Sequence, residues 1–321
     1  MKAQKANNLI RVIIKIIAYL SKPVSIWEKR IIKKYGRKPL KHSPVFIIGA
    51  PRTGSTILYQ VITNIFDVLY IDNLVCRFKN NLLYGFWLSK RLTKHKAHNS
   101  QNSYHGNTEN SGLRAPSECG KFWYRWLPKD HHFIDYDEIT EKMVKEIKEN
   151  ITAVSNYFEK PIVFKNLNAG QRIRLLSQCF PDAKYIYIKR DPLLTAQSIY
   201  KSRIKLSVPD NTIWSILPKN YKELEKLELP ELIVKQIYYL EKQISDDLKM
   251  IEDKNIYVVN YNELNKEHVF DEIKEFINVG YRRDAKKLDI KINNELKLNA
   301  DIKEAFEKVI DHLDWRNYQD E

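Results

Sequence analysis

The sequence predicts an α/β fold in which helices cover both faces of a central parallel sheet. Two observations carry this prediction: short apolar runs alternate with segments of helical periodicity, and a strand–turn–helix unit begins near residue 45. Strands that alternate with helices form parallel sheets, and both faces of such sheets are buried. The chain has 321 residues, 43% of them hydrophobic, which is enough to fill one sizeable core.

Four apolar runs have the length and the flanking residues of buried strands. The expected strands are Val45–Ile48, Ile162–Lys165, Tyr185–Ile188 and Ile256–Val259. A segment with helical periodicity follows each of them. The expected helices cover Ile57–Ile65, Gln171–Cys179, Leu193–Lys201 and Lys266–Ile277. These alternating elements predict one α/β domain over residues 45–321.

The stretch 72–156 interrupts this alternation. It is rich in Trp, Tyr, His and Asn, and its periodicity is weak. We interpret it as a helical and aromatic insertion on the substrate side of the domain. Its polar run, Asn99–Gly112, has the composition of a mobile loop.

The formal charge of +14 is concentrated at the amino terminus. Residues 1–44 hold twelve Lys or Arg and a single acid, Glu28, so the rest of the chain is nearly neutral. Residues 9–20 are apolar but include Arg11 and Lys15, and are too short to span a bilayer. This basic arm is expected to lie on an anionic membrane surface or to pack on its own domain. The neutral body and the absence of a nucleic-acid motif predict no nucleic-acid partner.

The spacing of the three cysteines predicts the redox state of the compartment in which the protein works. Cys76, Cys119 and Cys179 are far apart and form no C-x-x-C pair, which predicts neither a disulfide framework nor a structural zinc site. A reducing compartment, the cytoplasm, is therefore the expected location, with the basic arm as the candidate contact to the inner face of the membrane.

The sharpest motif is the loop Gly49–Thr56, with sequence GAPRTGST. It has the G-x-x-x-x-G frame of a phosphate-binding loop, between a strand and a helix, where amides and the helix dipole attract an anion. A nucleotide triphosphatase would place Lys after the second glycine, but this chain has Ser55, and its cation is Arg52. The motif therefore argues against ATP hydrolysis. An ordinary glycine-containing turn is the alternative.

A second motif, Arg190-Asp191-Pro192, follows the strand at 185–188. Arg190 lies where that strand ends, which is the edge at which α/β sheets bind ligands. Ser198 lies about two turns along the next helix, so its hydroxyl can face the same crevice as the guanidinium. Alone, the tripeptide would be no more than a helix cap.

Together the two motifs resemble the sulfotransferase superfamily, whose members carry P-[RK]-[ST]-G-[ST]-[ST] after the first strand and R-[DN]-P followed by a serine. The resemblance covers residues 45 to about 280 and continues less tightly through Lys165-Asn166, the run from Arg172, residues 214–236 and Tyr261–Leu264. It is strongest to the bacterial, carbohydrate-directed branch. It implies a P-loop-kinase-like three-layer sandwich.

The resemblance also implies a cofactor and residue roles. The sulfuryl donor would be 3′-phosphoadenosine 5′-phosphosulfate, and no metal is required. The loop residues would hold its 5′-phosphosulfate, and Arg190 with Ser198 would hold its 3′-phosphate. These loop residues are Arg52, Thr53, Gly54, Ser55 and Thr56. Arg52 would also stabilise charge on the bridging oxygen, and Lys165 matches a lysine near the sulfuryl oxygens; a solvated strand-end lysine is its alternative reading.

The acceptor hydroxyl needs a general base. Glu118, within the insertion, stands where carbohydrate- and tyrosine-directed relatives supply a glutamate, although it could instead begin a helix over 122–126. His131 and His132 are the alternative bases. Arg52, Lys165 and Glu118 are therefore the expected catalytic residues.

A saccharide of a cell-surface glycan is the expected acceptor. Trp87, Trp123, Tyr124 and Trp126 could stack on sugar rings, could surround a lipid or phenol, or could belong to the core. Two other functions stay open: a P-loop nucleotide or small-molecule kinase, and a catalytically inactive basic protein associated with membrane or nucleic acid.

Overall fold

A five-stranded parallel sheet organises the protein. The computed structural model describes residues 22–93, 96–98, 100, 108–285 and 290–315. The strands lie in the order β2-β3-β1-β4-β5, and every neighbouring pair is parallel. Their bounds are β1 Val45–Ile48, β2 Leu69–Tyr70, β3 Ile162–Lys165, β4 Lys184–Lys189 and β5 Ile256–Asn260.

Helices cover both faces of this sheet. They are α1 Lys22–Tyr35, α2 Ser55–Ile65, α3 Asn73–Arg77, α4 Leu82–Thr93, α5 Gly120–Trp123, α6 Glu141–Phe158, α7 Ile173–Cys179, α8 Pro192–Lys205, α9 Tyr221–Leu224, α10 Leu229–Leu248, α11 Glu267–Ile277 and α12 Ala300–Asp311. Short 3₁₀ turns occupy Tyr136–Glu138, Leu167–Gln171, Asp253–Asn255 and Tyr261–Glu263.

The central strand shows why the apolar runs form a sheet buried on both sides. All four residues of β1 are fully buried. Phe46 and Ile48 face one hydrophobic cluster, whereas Val45 and Ile47 face the other, because successive side chains of a strand alternate. The predicted α/β sandwich with a central parallel sheet is therefore confirmed.

The strand β2 was not expected. It is only two residues long, and it pairs with β3 at the edge of the sheet. A run of that length has no periodicity of its own, so only its place beside β3 defines it.

The insertion contains more regular structure than its weak periodicity suggests. Its largest element is α6, which begins after Thr140, whose side chain accepts a hydrogen bond from the Met143 amide, and buries Ile147 and Ile151. The polar run at 99–112 lies mostly outside the described residues. Its described end is anchored, since Asn73 donates to the carbonyl oxygens of Thr108 (2.7 Å) and Gly112 (2.8 Å).

The described part of the basic arm packs on the domain. Trp27 of α1 makes an edge contact with Tyr157 of α6. The buried carboxylate of Glu28 accepts hydrogen bonds from the amides of Leu83 (3.1 Å) and Tyr84 (3.3 Å), which belong to the first turn of α4. A carboxylate at that end of a helix satisfies amides that have no intrahelical partner.

The apolar residues 9–20 of the arm lie outside the described residues, so their predicted membrane contact stays a prediction. Within the described ranges, none of the helices combines the length and the apolarity that crossing a bilayer would require.

The prediction that the cysteines form no disulfide is wrong for Cys76 and Cys119. Cys76, at the end of α3, forms a disulfide with Cys119, and their Cα atoms are 5.5 Å apart. The two residues are 43 positions apart in sequence, and the fold of the insertion brings them together. The third cysteine, Cys179, is free and buried. The cysteine spacing therefore gives no support to a reducing compartment.

The cap formed by Glu28 predicts a pH dependence of stability. Burial raises the pKa of Glu28 to about 7 in the folded protein, from an ordinary value of 4.5. The folded state therefore holds this proton more tightly than the unfolded state does, and the resulting stability is lost as the pH rises from 4.5 through 7. Glu28→Gln removes this titration.

Chemical denaturation between pH 4 and pH 8 tests this prediction. As the pH rises, the wild type should lose about 1–3 kcal/mol of unfolding free energy relative to Glu28→Gln. The exposed Glu304→Gln serves as the control and should show no such trend. Parallel pH profiles for wild type and Glu28→Gln would contradict the buried cap.

Candidate functional site

A cleft of about 230 Å³ opens at the carboxyl edge of the sheet. This is the edge where parallel α/β sheets bind ligands. Each predicted motif contributes to it, and so do segments after β3, before α9 and after β5. The lining residues are Pro51, Arg52, Gly54, Ser55, Thr56, Ile57, Glu118, Lys165, Leu167, Asn168, Arg190, Trp214, Ser215, Ile216 and Tyr261.

The loop between β1 and α2 requires its second glycine. Gly54 has φ 96°, and a Cβ atom there would lie 2.5 Å from the Tyr261 ring. The Gly54 backbone and the Tyr261 ring are therefore too close together for any residue other than glycine. The first bond of α2 runs from the Leu58 amide to the Gly54 carbonyl (3.1 Å), so the amides of Ser55 and Thr56 are left for an anion.

Thr53 differs from the other residues of the loop. Its side chain is fully buried, and its hydroxyl donates to the Ala50 carbonyl oxygen at 2.9 Å. The hydroxyl therefore holds the loop in shape. Thr53 does not line the cleft, so its predicted contact to the cofactor stays a prediction.

The two predicted arginines and Ser198 lie together. Arg52, in a left-handed conformation (φ 71°), donates from Nε to the Ser198 hydroxyl at 3.0 Å. Arg190 donates from Nη1 to the Arg52 carbonyl oxygen at 3.0 Å, and its guanidinium lies 4.2 Å from the centre of the Tyr261 ring. Neither arginine forms a salt bridge among the described residues. Burial, and then the neighbouring Arg190, lowers the pKa of Arg52.

Positive charge that is buried and not neutralised favours an anionic ligand. The Nε atom of Arg190 is buried and has no hydrogen-bond partner among the described residues, so its N–H group is available to a ligand. The arrangement therefore has both the charge and a free donor that a phosphate oxygen would take.

A carboxy-terminal segment that the motifs did not reveal crosses this part of the cleft. Arg190 donates from Nη2 to the Asn293 carbonyl oxygen at 2.7 Å, and the Asn293 amide donates to the Tyr261 hydroxyl at 3.2 Å. Gln197 of α8 donates to the Glu295 carbonyl oxygen at 2.9 Å. Residues 293–295 therefore lie against the two elements that present Arg190 and Ser198.

Lys165 and Glu118 form an ion pair at the centre of the cleft. The lysine side chain is 2% exposed, whereas that of Glu118 is 38% exposed. The ammonium also donates to the Thr56 hydroxyl at 3.1 Å. Lys165, from the end of β3, thus connects the insertion with the first turn of α2. It is a buried, paired lysine, which corrects the alternative reading of a solvated strand-end lysine.

Local contacts hold Glu118 in this position. Its backbone carbonyl oxygen accepts from the Asn166 side chain at 3.3 Å, and the next residue, Cys119, is fixed to α3 by the disulfide. The helix expected after it begins at Gly120, so Glu118 precedes α5 and does not start it.

Neither histidine lines the cleft. His131 contacts Glu138 (2.7 Å) and Asp130 (3.2 Å) instead. His132 is buried, and its Nδ1 accepts from the Leu217 amide at 2.8 Å. Burial, and then Arg172, lowers the pKa of His132 to about 4. Glu118 is therefore the predicted base that the structure places in the cleft.

The aromatic residues of the insertion lie elsewhere. Trp123 is 2% exposed within the core, and Trp126 packs against the same core and donates to Glu146 at 2.7 Å. Trp87 stacks on Tyr84 with ring centres 5.7 Å apart. None of these residues, nor Tyr124, lines the cleft. The core alternative therefore holds for Trp123 and Trp126, and the alternative in which these aromatic residues contact the acceptor gains no support.

One wall of the cleft comes from the loop before α9. Gln236 of α10 donates to the carbonyl oxygens of Trp214 (2.9 Å) and Ile216 (2.8 Å), and between them Ser215 has φ 81°. A buried amide thus fixes this wall. No local signal in the sequence identifies Trp214 as a cleft residue, because its contacts are made 22 positions away.

A metal centre would need clustered ligands. Among the described residues, no group of three or more His, Cys, Asp or Glu side chains could hold a metal ion.

Known sulfotransferases resemble the chain in sequence at low identity. It is 22% identical over 257 residues to the omega-hydroxy-beta-dihydromenaquinone-9 sulfotransferases Stf3 of Mycobacterium bovis and Mycobacterium tuberculosis. The match covers 75% of this chain and 64% of the relatives' length, so the chain spans less than two thirds of each.

Solved structures of sulfotransferases resemble the chain at low identity. Sulfotransferase STF9 from Mycobacterium avium is 16% identical, with a TM-score of 0.49, over 90% of this chain and 72% of that one. Sulfotransferase STF1 from Mycobacterium tuberculosis is 12% identical, with a TM-score of 0.48, over 80% of this chain and 74% of that one.

The family model described as "Sulfotransferase family" matches residues 44–281, which is most of the chain. That range contains the loop after β1, Glu118, Lys165, Arg190 and Ser198. The chain therefore belongs to the sulfotransferase family.

Proposed function

We propose that this protein transfers a sulfuryl group from 3′-phosphoadenosine 5′-phosphosulfate to a hydroxyl of an acceptor. The observation that carries the proposal is the composition of one cleft. It combines a phosphate-binding loop without the lysine of nucleotide triphosphatases, two arginines without acidic partners, and a carboxylate paired with a buried lysine.

The donor is expected to bind on the arginine side of the cleft. The free amides at the start of α2 and the Arg52 guanidinium suit the 5′-phosphosulfate, because both favour negative charge. Arg190, with its spare Nε donor, and Ser198 suit the 3′-phosphate. Arg52 already donates to Ser198, so it links the two anion sites. The kinase alternative has no support from this loop, which lacks the lysine that would reach the terminal phosphates.

The reaction then needs one proton acceptor and one cation. Glu118 is half-exposed and faces the cleft, so it can take the proton of the acceptor hydroxyl. The hydroxyl oxygen forms a bond to sulfur while the bond from sulfur to the 5′-phosphate oxygen breaks. Lys165 loses part of its pairing when Glu118 is protonated, and its charge is then free for the sulfuryl and bridging oxygens.

For the acceptor, the cleft favours a molecule with an apolar portion beside its hydroxyl. Its apolar lining residues are Ile57, Leu167, Trp214 and Ile216. The relatives named above act, by name, on a hydroxylated lipid quinone. We therefore place a lipid alcohol ahead of the saccharide that the Glu118 segment suggested. Contact of the basic arm with an anionic membrane stays a prediction, and it would bring the protein to such an acceptor.

Incubation with ³⁵S-labelled phosphosulfate donor and fractionated cell envelope tests the acceptor. Label should appear in the organic-solvent extract. Label confined to the glycan fraction would restore the saccharide, whereas no incorporation by a protein that binds the donor would contradict the transfer reaction.

Thermal melting tests the donor assignment. Adenosine 3′,5′-bisphosphate should raise the melting temperature more than Mg²⁺-ATP at equal concentration, because a ligand stabilises in proportion to its affinity for the folded state. Arg190→Ala should weaken the bisphosphate by about 10–100-fold and adenosine 5′-monophosphate far less, because the lost contact is to the 3′-phosphate. The exposed Arg283→Ala is the control. Equal loss of both nucleotides would assign Arg190 a structural role.

Substitution of Glu118 tests the base. Glu118→Gln keeps the shape of the side chain but removes the charge opposite the buried Lys165, so the melting temperature should fall. Below the melting transition, bisphosphate affinity should hardly change, whereas kcat should fall by ~10²–10⁴-fold. The exposed Glu223→Gln is the matched control and should change none of these. A near-wild-type kcat would reject Glu118 as the base, and a loss of kcat that comes with an equal loss of bisphosphate binding would show that the residue is only structural.

A further inference from the structure

A second cavity, of about 60 Å³, lies between the edge strand β2 and α4. Five cations line it, and none of its lining residues belongs to the cleft. They are Lys90, Lys96, Arg114, Lys160 and Arg282. We call this group the basic cavity.

Two of these cations have acidic partners: Lys160 pairs with Asp67, and Arg282 pairs with Asp284 at 3.2 Å. Lys90, Lys96 and Arg114 form no salt bridge among the described residues. The ammonium of Lys90 lies instead 4.3 Å from the centre of the Phe158 ring.

The remaining acid of the cavity forms no salt bridge with these cations among the described residues. Asp72 is buried, and its carboxylate accepts from the Ser89 hydroxyl at 2.5 Å and from the Val75 amide at 2.7 Å. Both bonds hold the start of α3 and the middle of α4. The charge balance of the basic cavity is therefore positive.

Holding these cations together is unfavourable in the empty protein. Burial, and then the charge of Lys160, lowers the pKa of Lys90 to about 8. Burial, followed by Arg114 and Arg282, lowers the pKa of the neighbouring His98 to about 4. Burial is the larger cause of both shifts, and the neighbouring cations lower both pKa values further, an effect that a bound anion would offset.

We propose that the basic cavity binds a tetrahedral dianion, a phosphate or sulfate group, either free or at the end of a larger molecule. Arg114 offers a planar fork of donors, and Lys90 offers a point charge beside it. The small volume suits one such group and not a nucleotide. This proposal does not depend on the sulfuryl-transfer reaction.

The place of Arg114 links this site to the cleft. Its carbonyl oxygen accepts from the Tyr70 hydroxyl at 3.2 Å, and two residues later Pro116 forms an antiparallel bridge with Asp72. The same stretch then reaches Glu118. An anion held by Arg114 would therefore bind at the start of the segment that carries Glu118.

Titration of the full chain with inorganic phosphate, in saturating adenosine 3′,5′-bisphosphate, tests the proposal. Phosphate should raise the melting temperature further and should protect Lys90 from an amine-acylating reagent, read by peptide mass spectrometry. The exposed Lys29 should stay reactive throughout. Lys90→Met and Arg114→Met should weaken phosphate by at least about tenfold, as expected when one charged contact is lost.

Variants separate this site from the cleft. Arg190→Ala should keep the phosphate response even if the bisphosphate fails to bind, so failure of the donor assignment would not imitate failure here. Lys90→Met should melt no lower than the wild type without phosphate, because it removes like-charge repulsion. A phosphate response that survives in Lys90→Met and Arg114→Met, or the absence of any response in the wild type, would overturn the proposal.

A parallel titration with glycerol 3-phosphate identifies the source of the anion. Tighter binding than inorganic phosphate would indicate the terminal phosphate of a larger molecule, and weaker binding would indicate the free ion.

Discussion

The structure of the cleft depends on the buried ammonium of Lys165. A charge taken out of water needs an opposite charge and hydrogen bonds, and removing one partner of such a pair is costly. Glu118 supplies the charge, and the Thr56 hydroxyl supplies a further bond at 3.1 Å. These partners come from the insertion and from the first turn of α2, so satisfying one lysine brings three distant segments to the same edge of the sheet.

The lining of the cleft combines two kinds of surface, which fits the two substrates of the proposed reaction. Arg52 and Arg190 form no salt bridge among the described residues, so they keep positive charge for the proposed donor, which carries phosphate at both ends. Trp214 and Ile216 add an apolar wall that the buried amide of Gln236 holds in place. Lys165 and Glu118 line the same cleft, where the proposed donor and acceptor would meet.

The sequence predicted the parts of this site whose signals are local. Four apolar runs predicted the sheet. The loop motif predicted Arg52, and positions at the ends of strands predicted Lys165 and Arg190. Other parts could not be predicted because they depend on contacts distant in sequence. The pairing of Cys76 with Cys119 and the contact of Arg190 with Asn293 span 43 and 103 positions. The position of the aromatic residues of the insertion stayed open between core and acceptor site because composition does not distinguish a core tryptophan from a binding one.

A double-mutant cycle on single-turnover transfer of labelled sulfuryl tests most directly whether Lys165 and Glu118 act as one catalytic unit. Lys165→Met, Glu118→Gln and the double variant would be compared with the wild type under saturating donor. If the pair acts as a unit, the double variant should be hardly slower than the slower single variant, because groups that act together are not additive. Losses that add in full would contradict this account and assign the two residues independent roles.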